Sequence, residues 1–469
     1  MGLPGEMPAM TNRLSHLSRE ELEALVLDQA RVIALLEARI AQLEAGAKGG
    51  GPPKTSRNSH QPPSRDEKGN RGVGGKKGKK RRPSRPGVAR ALANDPDTTI
   101  RREAESCGHC GADVSGQRQT CRHAYDHIEI PTLAPHVTRI ELHGGRCRCC
   151  GRRFRAAPPP GMPPGTPFGP NVHALLFYLH HSHHVGFERL ARMMRELFGL
   201  TVSEGAIANA FARMVEPLET LRQSIKARLA SAAVVASDET TMRVGGVTHW
   251  LWVYLTKDAI LHEIVPRRAK SMALAVLGEH RPEVWVSDRY AGQQDLARAH
   301  QICLAHLLRD VQYAIDGGDA VFAPQLRELL CWTIRVGKRR EMLKDTTLAQ
   351  YHGLAERRLD RLLVVPAAHP LGRKLQQQTK VWRTKFFVFL QDRRVPATNN
   401  AAEREIRPSV VFRKVTGGFR STWGAKAHAG YRSLTSTARL TGQTALDAIR
   451  GLVTAALTNA GQPAAQPTG

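Results

Sequence analysis

The stretch AAVVASDETTMRVGGVTHWLWVYLTKDAILHEIVP, residues 232–266, decides the fold together with EVWVSDRYAG at 283–292. Two apolar, β-branched runs, Ala233-Val234-Val235-Ala236 and Val284-Trp285-Val286, lead into the same pair of residues, Ser237-Asp238 and Ser287-Asp288. Such runs read as buried strands. Between them Trp250, Trp252 and Tyr254 alternate with Leu251, Val253 and Leu255, and residues 260–265 form a further apolar run after a Lys-Asp-Ala turn. The order is therefore strand, strand, strand, helix, strand, an α/β arrangement. A carboxylate at the carboxyl end of each of two buried strands sits where open α/β sheets bind their ligands. One isolated Asp is more simply a turn cap, but its repetition after two similar strands points to a site. Asn399-Asn400-Ala401-Ala402-Glu403-Arg404 supplies the best third acid, with Asn399 or Asn400 capping a helix and Glu403 in its first turn. Glu405 is the rival, pointing from a different helix face.

A chain of 469 residues holds several domains, each with its own core. The net charge of +27 and a pI near 10.4 call for a polyanionic partner, nucleic acid or an anionic membrane surface. No apolar run is long enough to cross a bilayer, and the start MGLPGEMPAM lacks the basic and apolar regions of a secretory signal. The expectation is a soluble intracellular protein acting on DNA or RNA, with no membrane. Five of the eight Cys cluster in CxxC-like groups between Cys107 and Cys150, which fits a reducing compartment and a metal better than disulfides.

Residues 16–46 carry a heptad pattern, with Val26, Ile33 and Ile40 at one apolar position, Leu22, Leu36 and Leu43 at the other, and Gln29 as the polar intruder. β-Branched residues at a and Leu at d favour a parallel two-stranded coiled coil, hence a homodimer or larger assembly. Residues 47–98 are rich in Gly, Pro, Ser, Lys and Arg and read as a disordered basic linker. Its densest part holds Lys76, Lys77, Lys79, Lys80, Arg81 and Arg82, an arm suited to phosphates without sequence preference.

In the segment 99–157, Cys107-Gly108-His109-Cys110-Gly111 and Cys147-Arg148-Cys149-Cys150-Gly151 keep matched CxxCG spacing. Four thiolates, Cys107, Cys110, Cys147 and Cys150, suit a structural Zn²⁺, and Cys149 and Cys121 are spares. Hairpins are expected between the two motifs, near residues 125–130 and 137–142. After a proline-rich hinge, residues 170–230 read as three amphipathic helices, near 172–184, 187–197 and 204–218. Ser203 would cap the last, either in a helix-turn-helix-like DNA-binding arrangement with Asn209 and Arg213 on the reading helix or in an ordinary helical bundle. His180, His181, His183 and His184 read as a histidine-rich surface helix rather than a metal tract.

Residues 231–440 form the catalytic region. Gln301-Ile302-Cys303 reads as a last strand entering a helix, so that Cys303 and His306 meet behind Asp288 and support the site. From about 310 to 392 the pattern is helical, an insertion between Asp288 and Glu403. Beyond Glu403, Arg404, Arg407, Arg413, Lys414 and Arg420, interleaved with Gly417, Gly418 and Gly424, fit the approach of DNA phosphates. A last helix and tail occupy 441–469.

With Asp238, Asp288 and Glu403 placed, the chain resembles the DDE transposases of the bacterial insertion-sequence sixty-six family. The likeness is carried by Ser237-Asp238-Glu239-Thr240, Val286-Ser287-Asp288-Arg289-Tyr290, Cys303-x2-His306 and the block from Thr398-Asn399-Asn400 through Glu403-Arg404 and Arg413-Lys414 to Ser433-Leu434. The order of parts matches too. The resemblance implies a multidomain α+β chain, an RNase H-like catalytic domain with a helical insertion, preceded by a coiled coil, a zinc-binding module and a helical DNA-binding region. It further implies magnesium-dependent cleavage and strand transfer at terminal inverted repeats, double-stranded target DNA, accessory proteins encoded alongside, and a cytoplasmic, nucleoid-associated place in a bacterium. Three carboxylates of this kind hold two Mg²⁺, or Mn²⁺ in their stead, roughly 3.5 to 4 Å apart. A non-catalytic zinc-containing DNA binder and a nuclease that hydrolyses without joining are the competing readings.

Overall fold

The computed structural model describes residues 90–162, 164–165 and 167–460, the segment 51–59, and the isolated positions 18, 19, 26, 29, 32, 33, 61 and 66. Most of the heptad segment 16–46 and all of the run from Lys76 to Arg82 lie outside the described residues. The chain divides into two compact units: residues 67–159 with 185–209, and residues 1–66, 160–184 and 210–469.

The smaller unit contains the two CxxCG motifs, which fold alike. The amide of Gly111 donates to the Cys107 carbonyl and that of Gly151 to the Cys147 carbonyl, each at 2.8 Å. Gly111 and Gly151 take φ of +72° and +69°, left-handed values that any Cβ would resist. Strands β1 (Gly144–Arg146) and β2 (Arg153–Arg155) flank the second motif as an antiparallel pair. The expected hairpins at 125–130 and 137–142 are absent among the described residues, where the backbone forms no ladder. The cause is visible in exposure: Tyr125, Ile130 and Val137 have nothing to bury against, so alternation alone does not make a strand.

In the larger unit, helix α1 (Pro170–His183) begins on a proline, and α2 (Phe187–Phe198), in the smaller unit, stops at Gly199 in the left-handed conformation. The Ser203 hydroxyl accepts from the Ala206 amide at 3.1 Å, the expected cap of α3 (Glu204–Arg213). The single helix expected over 204–218 breaks at Met214, and α4 (Val215–Leu229) follows. His180 and His181 are buried rather than on a surface: His181 Nδ1 lies 3.2 Å from His428 Nδ1, within a cluster that includes Phe211 and Phe412. Their aromatic rings fill core volume, which a reading of histidine as a polar residue overlooks.

The sheet comprises β3 (Val234–Val244), β4 (Val247–Leu255), β5 (Ile260–Val265), β6 (Val284–Ser287) and β7 (Ala299–Ile302), in the order β5-β4-β3-β6-β7. The first three are antiparallel to their neighbours, whereas β6 and β7 run parallel to β3. Gly245 and Gly246, with φ of +57° and +80°, make the two-residue turn between β3 and β4 that right-twisted strands require. Helix α5 (Lys270–Leu277) crosses from β5 to β6. Strand pleat divides the side chains by face. Val235, Trp252, Tyr254 and Trp285 pack with Ile225, Leu229 and Val276 from α4 and α5. Burying each such large side chain stabilises the fold by roughly 1.5–3 kcal/mol.

The opposite face carries Met242, Leu251 and Val253 and is covered by α10 (Asn400–Thr416), through Ile406 and Phe412, and by α11 (Thr422–Leu440). Between β7 and α10 come α6 (Leu304–Asp316), α7 (Phe322–Lys338), α8 (Asp345–Val364) and α9 (Pro370–Trp382). Their core continues into Ala236, Val286 and Ile302 of the sheet. Buried Gln301 stitches this helical block to the edge strand, donating to the Phe386 carbonyl at 3.0 Å and accepting from the Phe389 amide at 3.1 Å. Helix α12 (Ala445–Ala460) ends the described chain. Within the stretch read as disordered linker, residues 51–59 are ordered: Asn58 is buried and donates to Asp316 Oδ2 on α6 at 2.8 Å. No described helix is long and apolar enough to cross a membrane.

Candidate active site

Strand β3 does not stop at Asp238, as the turn-like Ser-Asp pair suggested, but runs on to Val244. What ends near Asp238 is its parallel pairing with β6, last registered at Ala236 opposite Val286. Two residues further along each chain stand Asp238 and Asp288. Asp238 shares the pleat phase of Ala236 and Met242 and so faces the side covered by α10, while Asp288 directly follows the end of β6. The Asp288 carboxylate is fixed by the Tyr290 amide at 2.8 Å, and Asp238 Oδ1 accepts from the Glu239 amide at 2.9 Å.

Glu403 comes to them from the first turn of α10. Asn399 makes this possible, though not as the expected side-chain cap. Its Nδ2 donates to the Ser237 carbonyl at 2.8 Å, and its backbone amide donates to Cys303 Sγ at 3.1 Å. One buried asparagine thus ties the start of α10 to the strand bearing Asp238 and to the residue that follows β7. Asp238 feels the other two acids: it is held well above the usual carboxylate range, first by burial and then by the charges of Glu239, Asp288 and Glu403. A carboxylate among carboxylates, short of compensating donors, suits a divalent cation.

The rival Glu405 faces elsewhere. It accepts from Ser436 Oγ at 2.6 Å and from Arg439 at 3.0 Å, and lies 3.5 Å from the buried Arg432. Cys303 and His306 meet Glu403 rather than Asp288: His306 Nε2 is 3.5 Å from Glu403 Oε1. The ligand atoms of Cys303, His306 and Glu403 all lie within 4.8 Å of one another, the one such group of three or more among the described residues. The four sulfurs of Cys107, Cys110, Cys147 and Cys150 are accordingly not gathered to that distance. Each motif is nonetheless shaped for a thiolate. Amides of His109 and Cys110 lower the Cys107 thiol and amides of Cys150 and Cys149 lower that of Cys147, a donor set that fits zinc.

Of the basic residues beyond Glu403, Arg404, Arg407, Lys414 and Arg420 are exposed, whereas Arg413 bonds to the Thr241 carbonyl and, at 2.8 Å, to the Thr241 hydroxyl. The nearby glycines have a structural cause. Gly417 closes α10 at φ +76°, and a Cβ on Gly418 would stand 2.6 Å from the Arg243 carbonyl oxygen, where Phe419 bridges onto β3. A second polar cluster escaped the sequence reading. On the other face of β3, Glu239 pairs with Arg268, whose guanidinium lies 3.6 Å from the Tyr290 ring centroid, and accepts from Gln293. Only the pleat, which sends Glu239 opposite to Asp238, hinted at it.

A mixed sheet thus bears acids near the ends of neighbouring strands and is completed by a helix from far along the chain. The family model described as Transposase IS66 family matches residues 165–427, more than half of the chain, and the chain belongs to that family. No curated protein matches it.

Proposed function

We propose that this transposase is of the DDE type, cutting DNA at the ends of an insertion sequence and joining the freed ends to a target, with Asp238, Asp288 and Glu403 as the metal-binding acids. The observation that carries the reading is that Asp288 and Glu403, brought in by the end of β6 and by α10, lie near enough to Asp238 on β3 for their charges to act on it. The sheet order β5-β4-β3-β6-β7, with three antiparallel strands followed by two parallel ones, supports an RNase H-like fold. Magnesium, when bound by these residues, supplies activation of a water or 3′-hydroxyl and stabilisation of the departing oxygen in an in-line displacement. The protein's own part is placement. Asn399 sets the start of α10, the Tyr290 amide orients Asp288, and His306 lies beside Glu403 Oε1. No protein nucleophile is required.

Exposed Arg404, Arg407, Lys414 and Arg420 would meet phosphates, with the arm Lys76 to Arg82 adding affinity that falls with salt. The CxxCG motifs would hold a structural zinc, and residues 16–46 would pair two chains. The test is direct. Asp238→Asn, Asp288→Asn and Glu403→Gln should each abolish Mg²⁺-dependent nicking and the formation of joined products on element-end DNA, by at least about a thousandfold, while DNA binding survives. Strand transfer retained in any of these purified variants refutes the assignment.

A further inference from the structure

Glu403 stands between two chemically different neighbourhoods: hard carboxylates on one side, a thiol and an imidazole on the other. We propose that Cys303, His306 and Glu403 form a second metal site, selective for a zinc-class cation, whose occupation withdraws Glu403 from the acidic set and switches the transposase off.

Four observations carry this. The three ligand atoms already lie within 4.8 Å of one another. In a tetrahedral zinc shell, with bonds of about 2.0–2.3 Å, neighbouring ligand atoms stand roughly 3.3–3.8 Å apart, so small side-chain adjustments close the site. Second, Cys303 and His306 are three apart across the start of α6, which puts them on one side of its first turn. Third, Cys303 Sγ accepts the Asn399 amide at 3.1 Å, which fixes the sulfur on the side of α6 that meets Glu403. Fourth, Glu403 Oε1 is buried and accepts no hydrogen bond among the described residues, although His306 lies 3.5 Å away. A buried carboxylate oxygen left without a donor is costly, and a cation removes that cost.

The ligand set decides the ion. Sulfur and imidazole favour zinc over magnesium, which prefers an all-oxygen shell. Binding sends the Cys303 thiol proton to solvent, and with three protein ligands the fourth position stays open to water. The inhibitory consequence rests on the reading of Glu403 as a catalytic metal ligand; the existence of the site does not.

The experiment uses the full chain and zinc alone as probe. Zinc bound per chain at micromolar free zinc is measured by equilibrium dialysis for wild type, Cys303→Ser and His306→Ala, with circular dichroism to verify folding. Both variants should bind about one zinc fewer than wild type, the CxxCG motifs being intact in all three. Equal zinc content in a folded variant and in wild type overturns the site, and His306→Ala serves if Cys303→Ser does not fold. In a second arm, Mg²⁺-dependent nicking is followed with and without zinc, each protein against its own zinc-free rate. Wild type should lose at least about tenfold and the variants less than about twofold; zinc bound with nicking undiminished overturns the switch. Wild type without Mg²⁺-dependent nicking even in the absence of zinc, yet with the expected zinc content, faults the catalytic reading and leaves the metal site standing.

Discussion

Replacing Asp238 by Asn should stabilise the fold while ending the proposed chemistry, because burial and neighbouring acids hold the position in an electrostatically unfavourable state. Asp238 and Asp288 each stand two residues beyond Ala236 and Val286, the last registered pair of two neighbouring parallel strands. Neighbouring strands stand about 4.8 Å apart. Two unit charges at roughly 5 Å repel by about 3 kcal/mol at an effective dielectric constant of about 20. Water reaches the half-buried carboxylates and screens part of this, so Asp238→Asn should gain on the order of 1–3 kcal/mol, or a few degrees in Tm for a domain of this size. The pH dependence follows from the direction of the shift. Asp238 is raised above its unfolded value by burial and by Glu239, Asp288 and Glu403. Its contribution to stability is therefore full below the ordinary carboxylate range, near pH 4, and is lost as pH rises through the folded value. The advantage of the Asn variant should be absent at pH 4 and greatest at neutral pH. Thermal unfolding without added divalent ions, across that range, reads it out, and added Mg²⁺ should raise the Tm of wild type more than that of the variant. An Asn variant with native circular dichroism that melts at or below wild type at pH 7.5 would refute the reasoning.

Glu405→Ala should behave in the opposite sense to Glu403→Gln: it leaves buried Arg432 without its carboxylate and should cost about 2–4 kcal/mol in chemical denaturation, whereas Glu403→Gln should cost little. Equal stability of the two variants would count against the assigned orientations. His428, buried between Ser409 Oγ at 3.0 Å and His181 Nδ1 at 3.2 Å, is held well below the usual imidazole value, first by burial and then by Arg432. A group depressed in the fold gives stability that is full above about pH 6.5 and lost as pH falls toward the folded value, at roughly 1.4 kcal/mol per pH unit. His428→Gln should flatten the dependence of urea unfolding on pH between about 6.5 and 5 by that amount, and an unchanged slope would exclude this role.

The sheet was legible because its signals are local: the alternation of Trp250 to Leu255 and the apolar runs before the two Ser-Asp pairs each specify an element by themselves. The third acid was legible only as a helix start with an acid in its first turn. What places that start, the Asn399 side chain on the Ser237 carbonyl, joins residues far apart in sequence and leaves no pattern to read. The same holds for Arg268 beneath Glu239 and for the docking of Asn58 on α6. Two readings failed for a related reason: His180 and His181 were judged by residue type, and residues 125–142 by alternation, when burial in the first case and its absence in the second decided the outcome.

The tether at Asn399 also orders events in time. During synthesis, the strands bearing Asp238 and Asp288 leave the ribosome well before the turn that delivers Glu403, and Phe419 joins β3 later still. A nascent chain that has released the five strands therefore holds two of the three proposed acids. On the proposed assignment, cutting competence therefore waits for the turn that delivers Glu403 rather than accumulating as the sheet grows.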